Sequence, residues 1–127
     1  MKRGTAQWVR KAEDDLGAVR VLVGSRPPLR DQVCFHCQQA AEKYLKALLH
    51  DLGAAVPRTH NLKDLVNLLL PHDGTLRPLR RGLKSLTRFG VEYRYPGERA
   101  TTRQMQSALR KAKQVRAEVR SRLGLQP

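Results

Sequence analysis

Arginine and tyrosine crowd into one short stretch of the chain, Arg88 followed by FGVEYRYPGER. Arg88, Arg94 and Arg99 carry forked guanidinium donors that grip phosphates, and Tyr93 and Tyr95 can stack on bases or donate hydrogen bonds. Lys84 and Arg80 precede Arg88 by one and two helical turns and add helper charge. These seven residues form the candidate nucleotide- or RNA-binding set. The same stretch also reads as a structural corner, with tyrosines plugging the end of a bundle and arginines paired to Glu92 and Glu98. Composition does not separate the two.

The other chemistry-bearing residues fall short of a site. Cys34 and Cys37 form a C-x-x-C pair, but zinc needs a second pair or histidines at ligand spacing, and no further Cys exists. Gln38 stands where c-type haem attachment would need His. Two half-buried structural cysteines are the expectation. His36, His50, His60 and His72 are scattered, and no Ser-His-Asp order or phosphate-cradling glycine loop appears. His60, just ahead of a helix start, is placed to bind a partner or help cap. Glu13, Asp14 and Asp15 are adjacent, and adjacent helical residues point about 100° apart, so they cannot converge on a metal. They are expected to serve the helix dipole. No metal, no cofactor and no catalytic residue is expected.

The elements that would position the arginines are all helical. Over 33–52, Cys37, Ala40, Ala41, Tyr44, Leu45, Leu48 and Leu52 recur at three- and four-residue steps and make one apolar stripe. Gln39, Glu42, Lys43, Lys46 and His50 lie largely off it. Asp31 can cap this helix and Gly53 can close it. The small pair Ala40-Ala41 invites close approach by a neighbour, so this helix is expected at the centre of a bundle. A first helix runs from a cap at Thr5 to about residue 25, with Trp8, Ala12, Leu16, Val19 and Val23 on its stripe. A third spans 61–70 behind Asn61. A fourth runs from Thr75 to Arg88, with Pro78 tolerated in its first turn. The last starts at Thr101, whose spacing to Gln104 suits a capping box, and runs to about residue 123. The predicted fold is all-α: an up-and-down bundle of four long helices plus a shorter one, in a single domain over 1–127.

The chain has 127 residues and a net charge of +14. Residues 1–75 carry 11 Lys and Arg against 8 Asp and Glu, whereas residues 76–127 carry 14 against 3. A surplus this lopsided implies an anionic partner: nucleic acid, nucleotide or an acidic protein. No apolar run approaches a membrane span, and MKRGTAQW lacks a signal-peptide core, so a cytoplasmic protein is expected.

Four pieces in order resemble the HEPN domain family of prokaryotes, small helical proteins often encoded beside a minimal nucleotidyltransferase. They are W-x-x-x-A-x-x-D-L from Trp8, F-H-C-Q-Q-A-A-E-K-Y-L-K-A-L-L from Phe35, P-R-T-H-N-L from Pro57 and V-E-Y-R-Y-P-G-E from Val91. The resemblance implies a homodimer and one of two roles. Some members are RNase toxins with an R-x4-6-H motif late in the chain. Others bind nucleotides or partner a nucleotidyltransferase. Here the frame reads R-x4-Y-x-Y, from Arg88 through Tyr93 to Tyr95. Imidazole is missing, and a phenol of pKa about 10 is a poor general base near neutral pH. Arg30 and His36 have the R-x5-H spacing, but early in the chain, and are not credited.

The expected function is therefore a HEPN subunit that binds a nucleotide or RNA and pairs with a minimal nucleotidyltransferase, in a toxin–antitoxin type module. The alternatives are an RNase toxin of divergent motif and a non-catalytic adaptor for an acidic protein.

Overall fold

The structure, a computed structural model, describes residues 1–89 and 95–127. Tyr93 and Arg94 of the candidate set lie outside the described residues. The described chain is helical throughout: α1 (Arg3–Val23), α2 (Arg30–Asp51), α3 (Leu62–Leu69), a 3₁₀ helix (Gly74–Arg80), α4 (Leu83–Phe89) and α5 (Thr102–Arg122). No strand occurs among these residues, and no helix among them is long and apolar enough to cross a membrane.

α2 is the centre, as its small pair suggested. α1 and α5 pack along it, and α3 and α4 close its remaining side. Ala40, Ala41, Tyr44, Leu45, Leu48 and Leu49 are all buried, and the core continues through Val19, Leu65, Leu86 and Val115. Cys34 and Cys37 are fully buried free thiols. Burial pushes both up to about 12, with Asp31 adding to Cys34 and Cys34 adding to Cys37. At neutral pH they are inert thiols.

Several local expectations hold. Asn61 caps α3 by accepting from the Asp64 amide, and Thr101 and Gln104 form the reciprocal capping box of α5. Gly53 (φ 75°) and Gly124 (φ 72°) follow α2 and α5, and the next residues, Ala54 and Leu125, donate back to the Leu49 and Arg120 carbonyls. Those are Schellman closures, which favour glycine because a Cβ is strained at positive φ.

Several expectations need correction. The fourth long helix is instead two short ones. Pro78 sits inside a 3₁₀ turn capped by Asp73 rather than Thr75, Arg81 is extended, and Gly82 takes φ 80° before α4 begins. Among the described residues the helices are thus three long and three short. α1 begins at Arg3, so Thr5 is a buried helical residue hydrogen-bonded to His50 Nδ1 at 2.8 Å, not a cap. Likewise α2 starts behind Leu29, and Asp31 faces the Ala100 amide.

The polar residues of α2 are the last correction. Being central, α2 has hardly any outer face, and Gln38, Glu42 and Lys46 are buried with the core. They survive there because each is paired. Glu42 accepts from Lys46 Nζ at 3.0 Å, His60 Nδ1 at 2.9 Å and Gln38 Nε2 at 3.1 Å. Lys46 also lies over the Trp8 ring at 5.8 Å. Asp15 bridges His36 and Lys43 at 2.8 and 2.6 Å. Glu13 and Asp15 are mid-helix, too far from the N-terminus to serve the dipole as expected, and act as cross-links.

Candidate functional site

Two local devices aim the arginines. Gly82 lets the chain turn between the 3₁₀ helix and α4, so that Leu79, Leu83 and Leu86 reach one core while the polar residues between them face out. The capping box then starts α5 alongside α4, with Met105, Ala108, Ala112, Val115 and Val119 buried.

Between α4 and the first turns of α5 lies a concavity lined by Ser85, Arg88, Phe89, Arg103, Gln104 and Ser107. Arg88, the anchor of the candidate set, is exposed there and shares it with Arg103, which sequence reading did not single out. The signal was available: Arg103 and Ser107 are one helical turn apart at the start of a strongly basic helix. Two guanidiniums, two hydroxyls and an amide suit an anion of phosphate type.

Of the other described members of the candidate set, Arg80, Lys84, Tyr95 and Arg99, none lines that concavity. Tyr95 is exposed at 66%. Lys84 is exposed but lines no described concavity with Arg88. Arg80 is half-buried, with its Nε enclosed and without a hydrogen-bond partner. Arg99 lies across the molecule's end, against Pro27, Pro28, Arg30 and Asp31 at the start of α2.

Sequence reading also missed an oriented imidazole. Glu42 is buried, whereas the side chain of His60 is 72% exposed, and their contact is 2.9 Å. A carboxylate facing Nδ1 makes that nitrogen the donor and leaves Nε2 turned to solvent as an acceptor in the neutral ring. His60 leads into α3, whose Leu62 amide donates to Thr87 Oγ1 at 3.2 Å, and Thr87 directly precedes Arg88. The third polar cluster is structural. Tyr44 donates to Glu13, and Arg120 Nη1 donates to the Tyr44 hydroxyl at 3.1 Å. Burial, then the hydrogen bond to Glu13, push the Tyr44 phenol up to about 12. Burial alone would raise Glu13, but Arg116, Tyr44 and Arg120 outweigh it and hold its carboxyl below the usual value. Among the described residues, no three His, Cys, Asp or Glu side chains converge as a metal site requires.

The HEPN domain model matches residues 5–122, nearly the whole chain. The chain belongs to the HEPN domain family. Its fold is similar to the crystal structure of TT1696 from Thermus thermophilus, with a TM-score of 0.80 and 27% identity over 95% of this chain and 98% of that one. No curated protein matches it significantly. The matched region of this HEPN protein includes α4, α5 and the His60 segment, so the basic concavity and the oriented imidazole are both built on the family's scaffold.

Proposed function

We propose that this HEPN protein is a non-catalytic subunit that binds the phosphates of a nucleotide or RNA at the end of α4. In this reading it works as a homodimer and pairs with a minimal nucleotidyltransferase in a toxin–antitoxin type module. The supporting observation is the concavity that holds Arg88 and Arg103 with Ser85, Gln104 and Ser107, directly before the YRY tract. A phosphate there finds charged and neutral donors together and, among the described residues, no carboxylate lining the cavity. Each partly shielded guanidinium–phosphate contact contributes about 1.5–3 kcal/mol. Labelled ATP and a short RNA, titrated against wild type, Arg88→Ala and Tyr95→Phe, test it. Arg88→Ala should weaken binding about tenfold or more. Equal binding by all three proteins, or no binding by any at low salt, overturns the site. Co-purification with a nucleotidyltransferase tests the pairing, and a monomer mass by light scattering counts against the homodimer.

A second reading, an RNase, is favoured by His60. Its Nε2 faces solvent from a ring held by buried Glu42, on the segment bonded to the residue before Arg88. Such an imidazole can take a proton from a ribose 2′-OH. RNA cleavage that disappears in both His60→Ala and Arg88→Ala would favour this reading over the first. Intact RNA after incubation with wild type would remove it.

A further inference from the structure

The concavity at Arg88 continues beyond the α4 end. It shares Ser85 and Ser107 with a second hollow, lined further along by Arg81, Gly82, Arg110 and Lys111. That one shares Pro78, Arg81 and Gln114 with a third, which reaches Arg77. The three form one groove with two walls. One wall is the 3₁₀ helix and α4, stepping through Arg77, Arg81, Ser85 and Arg88. The other is α5, stepping back through Gln114, Lys111, Ser107 and Arg103. On the α5 wall, steps of three and four residues keep the series on one helical face; on the other wall, Arg77 and Arg81 are brought into line with Ser85 and Arg88 across the Gly82 turn. From Arg103 to Gln114 the α5 wall is about 16 Å long.

Among the described residues, six cations line this groove and no carboxylate does. Arg77, Arg81, Arg103, Arg110 and Lys111 take part in no ion pair among the described residues. Lys111 reaches only the amide oxygen of Gln114, at 3.1 Å. Burial, then the positive charge of Arg81, pull its ammonium below the ordinary lysine value. Five like charges facing one trough repel each other, and the described residues supply no acid to relieve them. An anion with repeated charges would.

We infer that the groove between the 3₁₀ helix–α4 wall and α5 is a track for a single-stranded polynucleotide, gripped through several consecutive phosphates. This rests on the phosphate-binding reading of the α4 end and extends it along the molecule. A trough of this length can seat one extended chain, with successive phosphates meeting successive cations. Among the described residues the only aromatic lining it is Phe89, which is buried, so the described walls offer bases no platform to stack on. Recognition is then by backbone charge and is indifferent to sequence. Ser85 and Ser107, at mid-groove, add hydroxyls that can meet phosphate or ribose oxygens.

The test is fluorescence anisotropy of a labelled oligouridylate against the full chain over a salt series. Three or four neutralised phosphates give a log K against log salt slope of about −2 to −3 for a single strand. Arg81→Ser with Arg110→Ser should lower affinity at least about tenfold and flatten the slope by about 1.4, two phosphates' worth. Ser107→Glu, which places a negative charge in the trough, should abolish binding at moderate salt. Lys11→Ser with Arg20→Ser removes the same charge from exposed positions on α1, which lines no part of the groove, and should leave affinity unchanged. All four substituted groove and control cations are exposed, and matching circular dichroism melts will show that the variants fold. Tighter binding of RNA than of the same deoxy strand assigns a role to the 2′-hydroxyl, and equal binding assigns the grip to phosphates alone; both support the track. Equal loss in the α1 control, or duplex RNA binding as tightly as single strand, overturns it. If Arg88→Ala abolishes binding while the Arg81/Arg110 pair is dispensable, the track falls and the α4-end site stands.

Discussion

The α1–α2 seam and the α4–α5 groove treat charge in opposite ways. In the seam, buried Glu42, Lys46 and Asp15 are each matched: Glu42 with Lys46 and the outer His60, Asp15 with the partly buried Lys43 and His36. In the groove, five cations stand near water with no described carboxylate against them. A charge taken out of water is tolerated only with partners, whereas a solvated one can wait for them. The seam therefore uses ionic groups to fix how helices sit. The groove leaves its charge available to something outside the fold. The net charge of +14 matters less than where its unpaired part is kept.

The contrast can be broken most forcefully at Glu42. Glu42→Ala strands Lys46 and should cost about 3–5 kcal/mol, read from urea midpoints. Replacing both members, Glu42→Leu with Lys46→Met, should cost clearly less than the single change, since no charge is then stranded. A double variant as unstable as the single would mean that the pair matters through shape rather than charge. Next comes the packing beneath the seam. Ala41→Leu, at a fully buried position, should destabilise by about 1–3 kcal/mol through overpacking, checked by thermal unfolding. Tyr44→Phe, which removes the hydroxyl joining Glu13 and Arg120, should cost about 1–2 kcal/mol in the same assay. On the groove side, Arg77→Ser and Arg103→Ser should each change stability by no more than about 0.5 kcal/mol. Large losses there would show that the groove cations do structural work after all.

The smallest effect lies at the edge between the two regions. Thr75 and Arg122 hold the Asp73 carboxyl down at about 2, from an ordinary 3.8. A depressed carboxylate contributes stability above its unfolded pKa and loses it as pH falls through the folded one. Wild type should therefore exceed Asp73→Asn slightly at neutral pH, and the two unfolding curves should converge as pH drops from about 4 toward 2. Curves that stay parallel down to the acid limit would remove Asp73 from the account.

Legibility in the sequence followed the range of the interaction. α5 could be read almost to the residue, because a capping box, an apolar stripe and a closing glycine are all local. α3 and the centrality of α2 were equally plain. The break at Gly82 was not, since leucines at 76, 79, 83 and 86 keep helical spacing straight through it. The buried state of Gln38, Glu42 and Lys46 was not legible either. It depends on α1, α3 and His60 arriving on the far side of α2, which no local pattern reports. For the site, Arg88 was found from its company on the chain. Arg103, Arg110 and Lys111 were not, because they join Arg77 and Arg81 only through the packing of α5 along α4.

One small clasp has a consequence for how this protein can diversify. At the start of α2, Arg30 Nε donates to the Ala100 carbonyl at 2.7 Å and Asp31 accepts from the Ala100 amide at 2.6 Å. Ala100 is thereby stapled through both sides of its backbone, and Phe89, eleven positions earlier, is buried in the core. Both ends of the intervening tract, Phe89 and Ala100, are thus held on the helical scaffold. That tract is a cassette: closing a slightly longer one between fixed posts costs only fractions of a kcal/mol.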